Sequence, residues 1–388
     1  MKLLFATSIV PTTSVGSGYE IANRAILDGL CRAGVDVTVV GFSWPGRPVA
    51  DPDRTMVLGE IDVRTDTAPW PVRLKWLARA ISSGTTFSSS KLLEVSADQL
   101  RQALHQHGPF DGVILNSVQF AGAFEQVFAD WPSIYLAHNV EHVSARENAS
   151  SLTGYKAALF RREARLLQDL ERRLCARARF VFTLAPEDLK SLGPGAEGGA
   201  YLPLVSRQDP EPPSPRQASY DAAVIGTWTW QPNFIGLRWF LDEVVPHLPP
   251  ELTVQIAGSV PNGISSNHPG IRFVGRVPDA TAFLRGGRVV PLFSRAGTGV
   301  QLKTIETFEL GLPAVATTAS LRGVEARPGN CHVTDDPRAF AAAMIGIARR
   351  SAPDLDGRDF HARQRAALDD ALARGLRSLA CKRTRIAA

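Results

Sequence analysis

Short apolar runs alternate with stretches of helical periodicity along most of the chain, and that alternation confines it to α/β folds built on parallel sheets. Leu3 to Val10 reads as a buried strand, followed by the loop Pro11-Thr-Thr-Ser-Val-Gly-Ser-Gly18 and a helical pattern from Tyr19 to Arg32. Ala33-Gly34 stops that helix, and Val35 to Val40 is the next strand, which completes a βαβ unit. Further strands are expected near Met56–Val63, Gly112–Asn116, Ser133–Ala137 and Phe180–Leu184, with a long helix over Tyr155–Ala176 and a short one from Pro186. Residues 204–219 then carry four prolines in a polar setting, which forbids helix and central strand alike.

Past this stretch the alternation restarts. Strands are expected at Ala222–Ile225, Leu252–Ala257, Ile271–Val274, Val289–Phe293, Ala314–Ala316 and Cys331–Thr334. Helices are expected at Asn233–Val245, near Ala280, at Val300–Leu310, at Pro337–Arg350 and from about Asp359 to Leu379. The 388 residues therefore read as an α/β protein with two doubly wound domains, 1–205 and 220–350. A proline-rich linker, 206–219, joins them, and a helical tail, 351–388, follows. Doubly wound sheets bind ligands at the carboxyl ends of their strands, so two such domains facing each other are expected to bind in the cleft between them.

Composition narrows the partners. Apolar residues make up 44% and charged residues 21%, which excludes wholesale disorder and fibrous structure. The net charge of +5 comes without a block of five like charges, so an anionic partner is permitted and nucleic acid is not implied. Cys31, Cys175, Cys331 and Cys381 form no Cys-x-x-Cys pair, which argues against a disulfide framework or structural zinc and for a reducing compartment. The N-terminal apolar run is short and better read as a strand than as a leader, and no stretch reaches the ~20 apolar residues of a membrane span. A cytoplasmic protein is expected.

The most informative segment is Val290 to Thr317. A strand enters a loop with Gly297 and Gly299, a helix follows, and Gly311-Leu-Pro leads into another strand. Backbone N–H groups from Val300 and Gln301 to Lys303 would form an anion site at a helix N-terminus, and Lys303 would add a point charge for phosphate. One turn on, Glu306 can accept two hydrogen bonds from a vicinal diol such as a ribose. Diphosphate and ribose recognition one turn apart suits a nucleotide. The residues alone fit equally well a capped helix with a solvated lysine and glutamate.

This segment resembles the C-terminal signature of retaining glycosyltransferases of the family 4 type, which have the GT-B fold of two Rossmann-like domains. That signature has two glutamates separated by seven residues and ends in Gly-x-Pro-Val-Val-Ala-Thr. Glu306 matches the second glutamate and Gly311-Leu-Pro-Ala-Val-Ala-Thr317 the tail, while Thr298 stands where the first glutamate would hold donor-sugar hydroxyls. The segment from Val224 to Phe240, with Gly226, is similar to the strand, loop and helix that open the family's donor domain. The basic pair many members carry there is replaced by Gln231-Pro-Asn233, which shifts the diphosphate charge onto Arg295 and Lys303. Near Arg276 and Val277 the resemblance implies backbone contact with the nucleobase. The loop of Gly16 and Gly18 resembles the family's glycine loop beside donor phosphate and acceptor, and two glycines would let a ligand approach the backbone closely.

His138, after the strand at 133–137, stands where the family carries a histidine facing the donor sugar. A structural histidine is the plainer alternative. A third reading is an inverted zinc-protease motif, His138-Asn-Val-Glu141-His142, which needs a helix carrying both histidines and a further carboxylate. The helix at 156–179 holds eight basic and three acidic residues. Residues 70–81 combine Trp70, Leu74, Trp76 and Leu77 with Arg73, Lys75 and Arg79. Both segments suit a solvated helix face, and the second suits equally an anionic lipid surface. Asp51-Pro-Asp53 reads as a turn.

The resemblance implies transfer of a sugar from a nucleotide-sugar donor to an acceptor hydroxyl, with no obligatory metal or other cofactor, His138, Lys303, Arg295 and Glu306 being the candidate catalytic groups. The expected acceptor is lipid-linked or a glycan of the cell surface, reached from the inner face of the cytoplasmic membrane. A nucleotide-sugar 2-epimerase of the same fold, needing cleft carboxylates as acid and base, is the alternative enzyme.

Overall fold

The computed structural model describes residues 1–388 apart from 14–16, 66, 151, 211, 214, 351 and 381–388. Gly16 therefore lies outside the described residues. The chain divides into two compact units, one of Met1–Leu202 with the residues from Leu368 onward, the other of Pro203–Ala367.

In the first unit, β1 (Lys2–Ile9), α1 (Gly18–Arg32), β2 (Asp36–Ser43) and β3 (Thr55–Glu60) are followed by α2 (Trp70–Ser82), α3 (Phe87–Ser90) and α4 (Ala97–His107). Next come β4 (Gly112–Asn116), α5 (Val118–Ala123), β5 (Ser133–Ala137), α6 (Glu141–Ser150), α7 (Gly154–Arg177), β6 (Phe180–Thr183), α8 (Pro186–Leu192) and β7 (Ala200–Tyr201). The strands form one seven-stranded sheet in the order β3-β2-β1-β4-β5-β6-β7, with neighbours parallel. Helices cover the strands, so central runs such as Leu3–Ala6 and all of β4 and β5 are buried, as unbroken apolar runs require.

The second unit contains β8 (Tyr220–Ile225), α9 (Gln231–Trp239), β9 (Val254–Ala257), β10 (Ile271–Gly275), α10 (Ala280–Arg285) and β11 (Gly287–Leu292). It continues through α11 (Leu302–Glu309), β12 (Ala314–Ala316), β13 (Cys331–Val333), α12 (Pro337–Arg350) and α13 (Gly357–Ala380). Its six strands run in the order β10-β9-β8-β11-β12-β13, again parallel. The core stacks Trp228 and Phe240 on either ring contact of Phe293, with centroids 6.0 and 4.6 Å away.

Four differences from the sequence expectations have local causes. The division falls at Leu202/Pro203, ahead of the proline-rich stretch, because Leu204 and Val205 are buried and Gln364 Nε2 donates to the Leu204 carbonyl at 3.0 Å. The tail is not a body of its own. α13 begins in the second unit, and from Leu368 onward it belongs to the first, where Asp369 pairs with Arg32 at 2.6 Å. The helix expected over Asn233–Val245 starts at Gln231, widens to a π-type turn at Phe240–Val244 and ends in a 3-10 turn at Val245–His247. Pro246 has no N–H to continue the ladder there. Finally, α4 was not anticipated, although its Ser96/Gln99 capping box is complete, with bonds of 2.7 and 3.1 Å.

Among the described residues no helix is long and apolar enough to cross a membrane.

Candidate functional site

Each sheet reverses its strand order once, and the reversal marks where a ligand can sit between diverging loops. In the second unit the switch lies between β8 and β11. The loop after β8 holds Gly226, and the loop after β11 holds Thr298, Gly299, Val300 and Gln301. Gly297 and Gly299 have φ of +91° and +75°, a region open to glycine. A Cβ on Gly297 would lie 2.9 Å from Pro232 in the first turn of α9, so this loop packs on the start of that helix. A Cβ on Gly226 would meet the Trp228 ring at 2.9 Å.

The β11–α11 loop is braced from below. Thr317, the last residue of the glycine–proline tail, donates to the Ser294 carbonyl at 2.6 Å, and its hydroxyl lies 2.8 Å from that of Ser320, which donates to the Leu292 carbonyl. Arg322 donates to the carbonyls of Ala296 and Gly297. α11 starts at Leu302, two residues later than expected, and Gln301 caps it without a side-chain hydrogen bond. Its first N–H groups therefore have no side-chain acceptor from the cap, the arrangement that favours an anion. It ends in a Schellman motif, with Leu312 N–H on the Thr307 carbonyl at 3.1 Å and Gly311 N–H on that of Phe308 at 3.0 Å. Gly311 sits at φ +67° against the Leu355 carbonyl, which explains the glycine.

Two charged side chains rise from the first turns of α11. Lys303 is half-buried, its ammonium 5.5 Å from the Trp228 ring centroid, and burial pushes its pKa down to about 8. No described carboxylate pairs with it. Glu306 is half-buried too, and burial raises its pKa, opposed by the Arg207 guanidinium at 3.3 Å. Arg207, 99 positions from Glu306, had no signal in the sequence, and Glu309 had none beyond lying inside the motif. Glu309 is buried and accepts from the Ser206 N–H at 3.0 Å and from His361 Nδ1 at 3.0 Å.

The remaining residues from the sequence reading fall differently. Thr298 and Gln301 are buried within the loop. Arg295 is exposed, paired with Asp335 at 3.1 Å and stacked 4.8 Å over Trp239, so its charge is already engaged away from Lys303. Arg276 is exposed and donates to Ser259 Oγ at 3.1 Å, with Val277 half-buried beside it.

In the first unit the switch lies between β1 and β4. Gly18 opens α1 behind the cap Ser17, whose hydroxyl accepts from Glu20 N–H at 3.3 Å. Asn116, buried at the end of β4, donates toward Thr7 Oγ1, Tyr19 OH and Asn23 Oδ1 at 2.9–3.1 Å. Its Oδ1 therefore faces His138 Nε2 at 2.7 Å, which makes Nε2 the protonated nitrogen. Tyr19 packs on the imidazole with centroids 4.8 Å apart, and burial pushes the His138 pKa down to about 3. His138 is thus a neutral hydrogen-bonding group, unsuited to carry charge near pH 7. The residue after Asn116, Ser117, has φ of +76°, a backbone strain that no residue pattern announced.

His138 and His142 do not form the helical pair that an inverted zinc motif needs. α6 begins only at Glu141, and His142 Nδ1 is held by Glu171 of α7 at 2.6 Å, the same carboxylate that caps the Glu141 N–H at 2.8 Å. Among the described residues no group of three His, Cys, Asp or Glu could hold a metal ion. In α2, Trp76 is buried against Phe87 rather than exposed as the lipid-facing reading required. Trp70, Leu74 and Ile81 are 70%, 42% and 57% exposed and share one face. Lys75 and Arg79 both pair with Glu94, at 3.4 and 2.8 Å.

Two Rossmann-like domains with parallel sheets of these orders define the GT-B class of glycosyltransferase fold. Residues 220–350, within the second unit, match the family model of glycosyl transferases group 1. The fold is similar to that of Anabaena HepE in complex with UDP and glucose, at 15% identity over 97% of this chain and 100% of that one, with a TM-score of 0.57. It is similar to WaaG, a glycosyltransferase involved in lipopolysaccharide biosynthesis, at 13% identity over 98% and 96%, with a TM-score of 0.57. TarM gives a TM-score of 0.62 at 10% identity over 98% and 99%. Comparison with curated protein sequences gives no match.

Proposed function

We propose that the protein transfers a sugar from a nucleotide-sugar donor to a hydroxyl of a cell-surface glycan or lipid-linked acceptor, with retention of configuration as in family 4. The observation that carries this reading is the glycine loop of Gly297 and Gly299 at the β8/β11 switch, leading into α11 with Lys303 and Glu306, inside the segment that matches the group 1 family. The open N-terminus of α11 and the Lys303 ammonium would stabilise the departing diphosphate, a positioning and electrostatic strategy needing no further charged group from the chain. Glu306 would hold the ribose hydroxyls. His138, neutral and fixed in tautomer by Asn116, would offer a hydrogen bond to the sugar.

Thermal unfolding with UDP-, GDP- and ADP-linked hexoses tests the donor. At 100 times its dissociation constant the right donor stabilises by about 2.7 kcal/mol, and nucleotide release should rise when an acceptor glycan is added. A melting temperature unmoved by every nucleotide sugar would refute the reading.

Peripheral membrane binding is part of the same proposal. It is supported by the exposed face of Trp70, Leu74 and Ile81 and by the start of α7, where Tyr155, Leu159 and Phe160 are 73%, 36% and 37% exposed. Arg162 of α7 donates to the Ala80 carbonyl at 2.9 Å, which makes the two helices neighbours. Arg73, Lys75, Lys156 and Arg161 are exposed around them. At about 1 kcal/mol per cation near an anionic leaflet, attachment should be weak and reversed by salt. In liposome sedimentation, wild type should follow anionic vesicles at low salt, and a Trp70→Ser/Leu74→Ser variant should stay in the supernatant. Equal partition of both proteins would remove the membrane from the proposal.

A further inference from the structure

Ser206 and Arg207 lie in the stretch whose prolines read as a free linker, yet both are tied to the helix that carries Lys303 and Glu306. The Glu309 carboxylate accepts from the Ser206 N–H at 3.0 and 3.2 Å and from the Ser206 hydroxyl. His361 Nδ1 holds the same carboxylate at 3.0 Å. With its neighbour clamped, Arg207 donates through Nη2 to Thr281 Oγ1 at 2.7 Å and to Glu306 Oε1 at 3.3 Å. Among the described residues nothing donates to Glu306 Oε2.

We propose that Arg207 is a positioning residue for Glu306, engaging one carboxylate oxygen and holding the group ionised so that the other oxygen remains for ligand hydroxyls. The inference rests on reading α11 as the nucleotide helix. Its physical basis is the surroundings of Glu306. Burial disfavours the carboxylate, and so do Glu309 one turn along α11 and Asp279 at the cap of α10. Arg207 is the cation that opposes them. A neutral carboxylic acid presents one fewer strong acceptor to a diol, so losing Arg207 should cost affinity through protonation of Glu306 and not through a lost ligand contact.

The test is a pH series of nucleotide affinity by calorimetry on the full chain, with UDP, GDP and ADP as probes and the tightest binder carried forward. In wild type, affinity falls on the acid side as Glu306 takes up a proton. Removing the cation raises that carboxylate's pKa, so in Arg207→Ala the acid limb should move up by about one pH unit, which lowers affinity by up to about tenfold on the limb itself and little above it. Arg207→Lys keeps the charge and should return the limb towards wild type. Glu306→Gln should lose the limb apart from the nucleotide's own phosphate titration, and adding Arg207→Ala to it should change affinity little.

A limb that stays in place in Arg207→Ala overturns the inference. So does an Arg207→Ala effect that is equally large in the Glu306→Gln background, since Arg207 would then act on the ligand or the fold independently. Two other outcomes refute the nucleotide-helix reading and the inference with it: no binding of any probe to wild type, or wild-type affinity in Glu306→Gln. A positive wild-type and Glu306→Gln result with an unmoved Arg207→Ala limb therefore sinks the Arg207 role alone.

Discussion

Replacing Glu306 with alanine should weaken nucleotide binding by about 10²–10⁴-fold while leaving the protein folded. A carboxylate holding two ribose hydroxyls contributes about 1.5–3 kcal/mol per charge-assisted bond, so about 3–6 kcal/mol is the ceiling, and each 1.4 kcal/mol is tenfold. The fold should tolerate the change because Glu306 is half-buried and, among the described residues, its carboxylate bonds only Arg207, itself held by Thr281. The packing of α11 comes from Ile305 and Phe308, 0% and 1% exposed, which the substitution leaves alone. Calorimetry for affinity and thermal unfolding for stability check both halves. Undiminished affinity in a folded variant would end the ribose assignment.

Lys303→Ala should act on turnover more than on donor binding, lowering kcat by at least about tenfold and by as much as about 10³-fold. Negative charge on the diphosphate grows as the glycosidic bond breaks, so a cation placed there stabilises the transition state beyond the ground state. The pH profile gives a second signature. Burial holds the Lys303 pKa at about 8 in the free protein, so the ammonium is present below pH 8 and lost as pH rises through it. The log of kcat/KM, which reports free enzyme, should therefore bend downward near pH 8 in wild type, and Lys303→Ala should lack that bend. In kcat the bend should lie higher, because bound diphosphate favours the charged form. Normal turnover with an unchanged profile would leave Lys303 as a lysine packed on Trp228 and no more.

Periodicity alone located most of the architecture. The strands Gly112–Asn116, Ser133–Ala137 and Ala314–Ala316 and the helix Pro337–Arg350 fall where apolar spacing and turn residues put them. Long elements buried against one core leave a repeat in the chain that can be read directly. Short or capped elements leave less. α4 is only 11 residues long with two buried leucines, and the break after α9 depends on one proline whose missing N–H is felt a turn away.

At the candidate site the division follows the range of the interaction. The glycines, Lys303 and Glu306 were legible because helix geometry places residues three apart on neighbouring positions of one face, and because left-handed turns select glycine. What Arg295, Arg207 and His138 do was not legible. Arg295 meets Asp335 and Trp239, each far along the chain, and these contacts engage a charge that the family resemblance had assigned to the phosphate. Arg207 reaches Glu306 across 99 positions, through a segment whose prolines signalled only an absence of regular structure. His138 takes its tautomer and its neutrality from Asn116 and Tyr19, on other elements of the sheet. The sequence by itself determined which local elements form and where the backbone turns call for glycine, because those depend on neighbours within a few residues. Tertiary structure alone decided which charges are engaged, which are buried and which proton sits on which nitrogen, because desolvation and pairing depend on whatever the fold brings within about 4 Å.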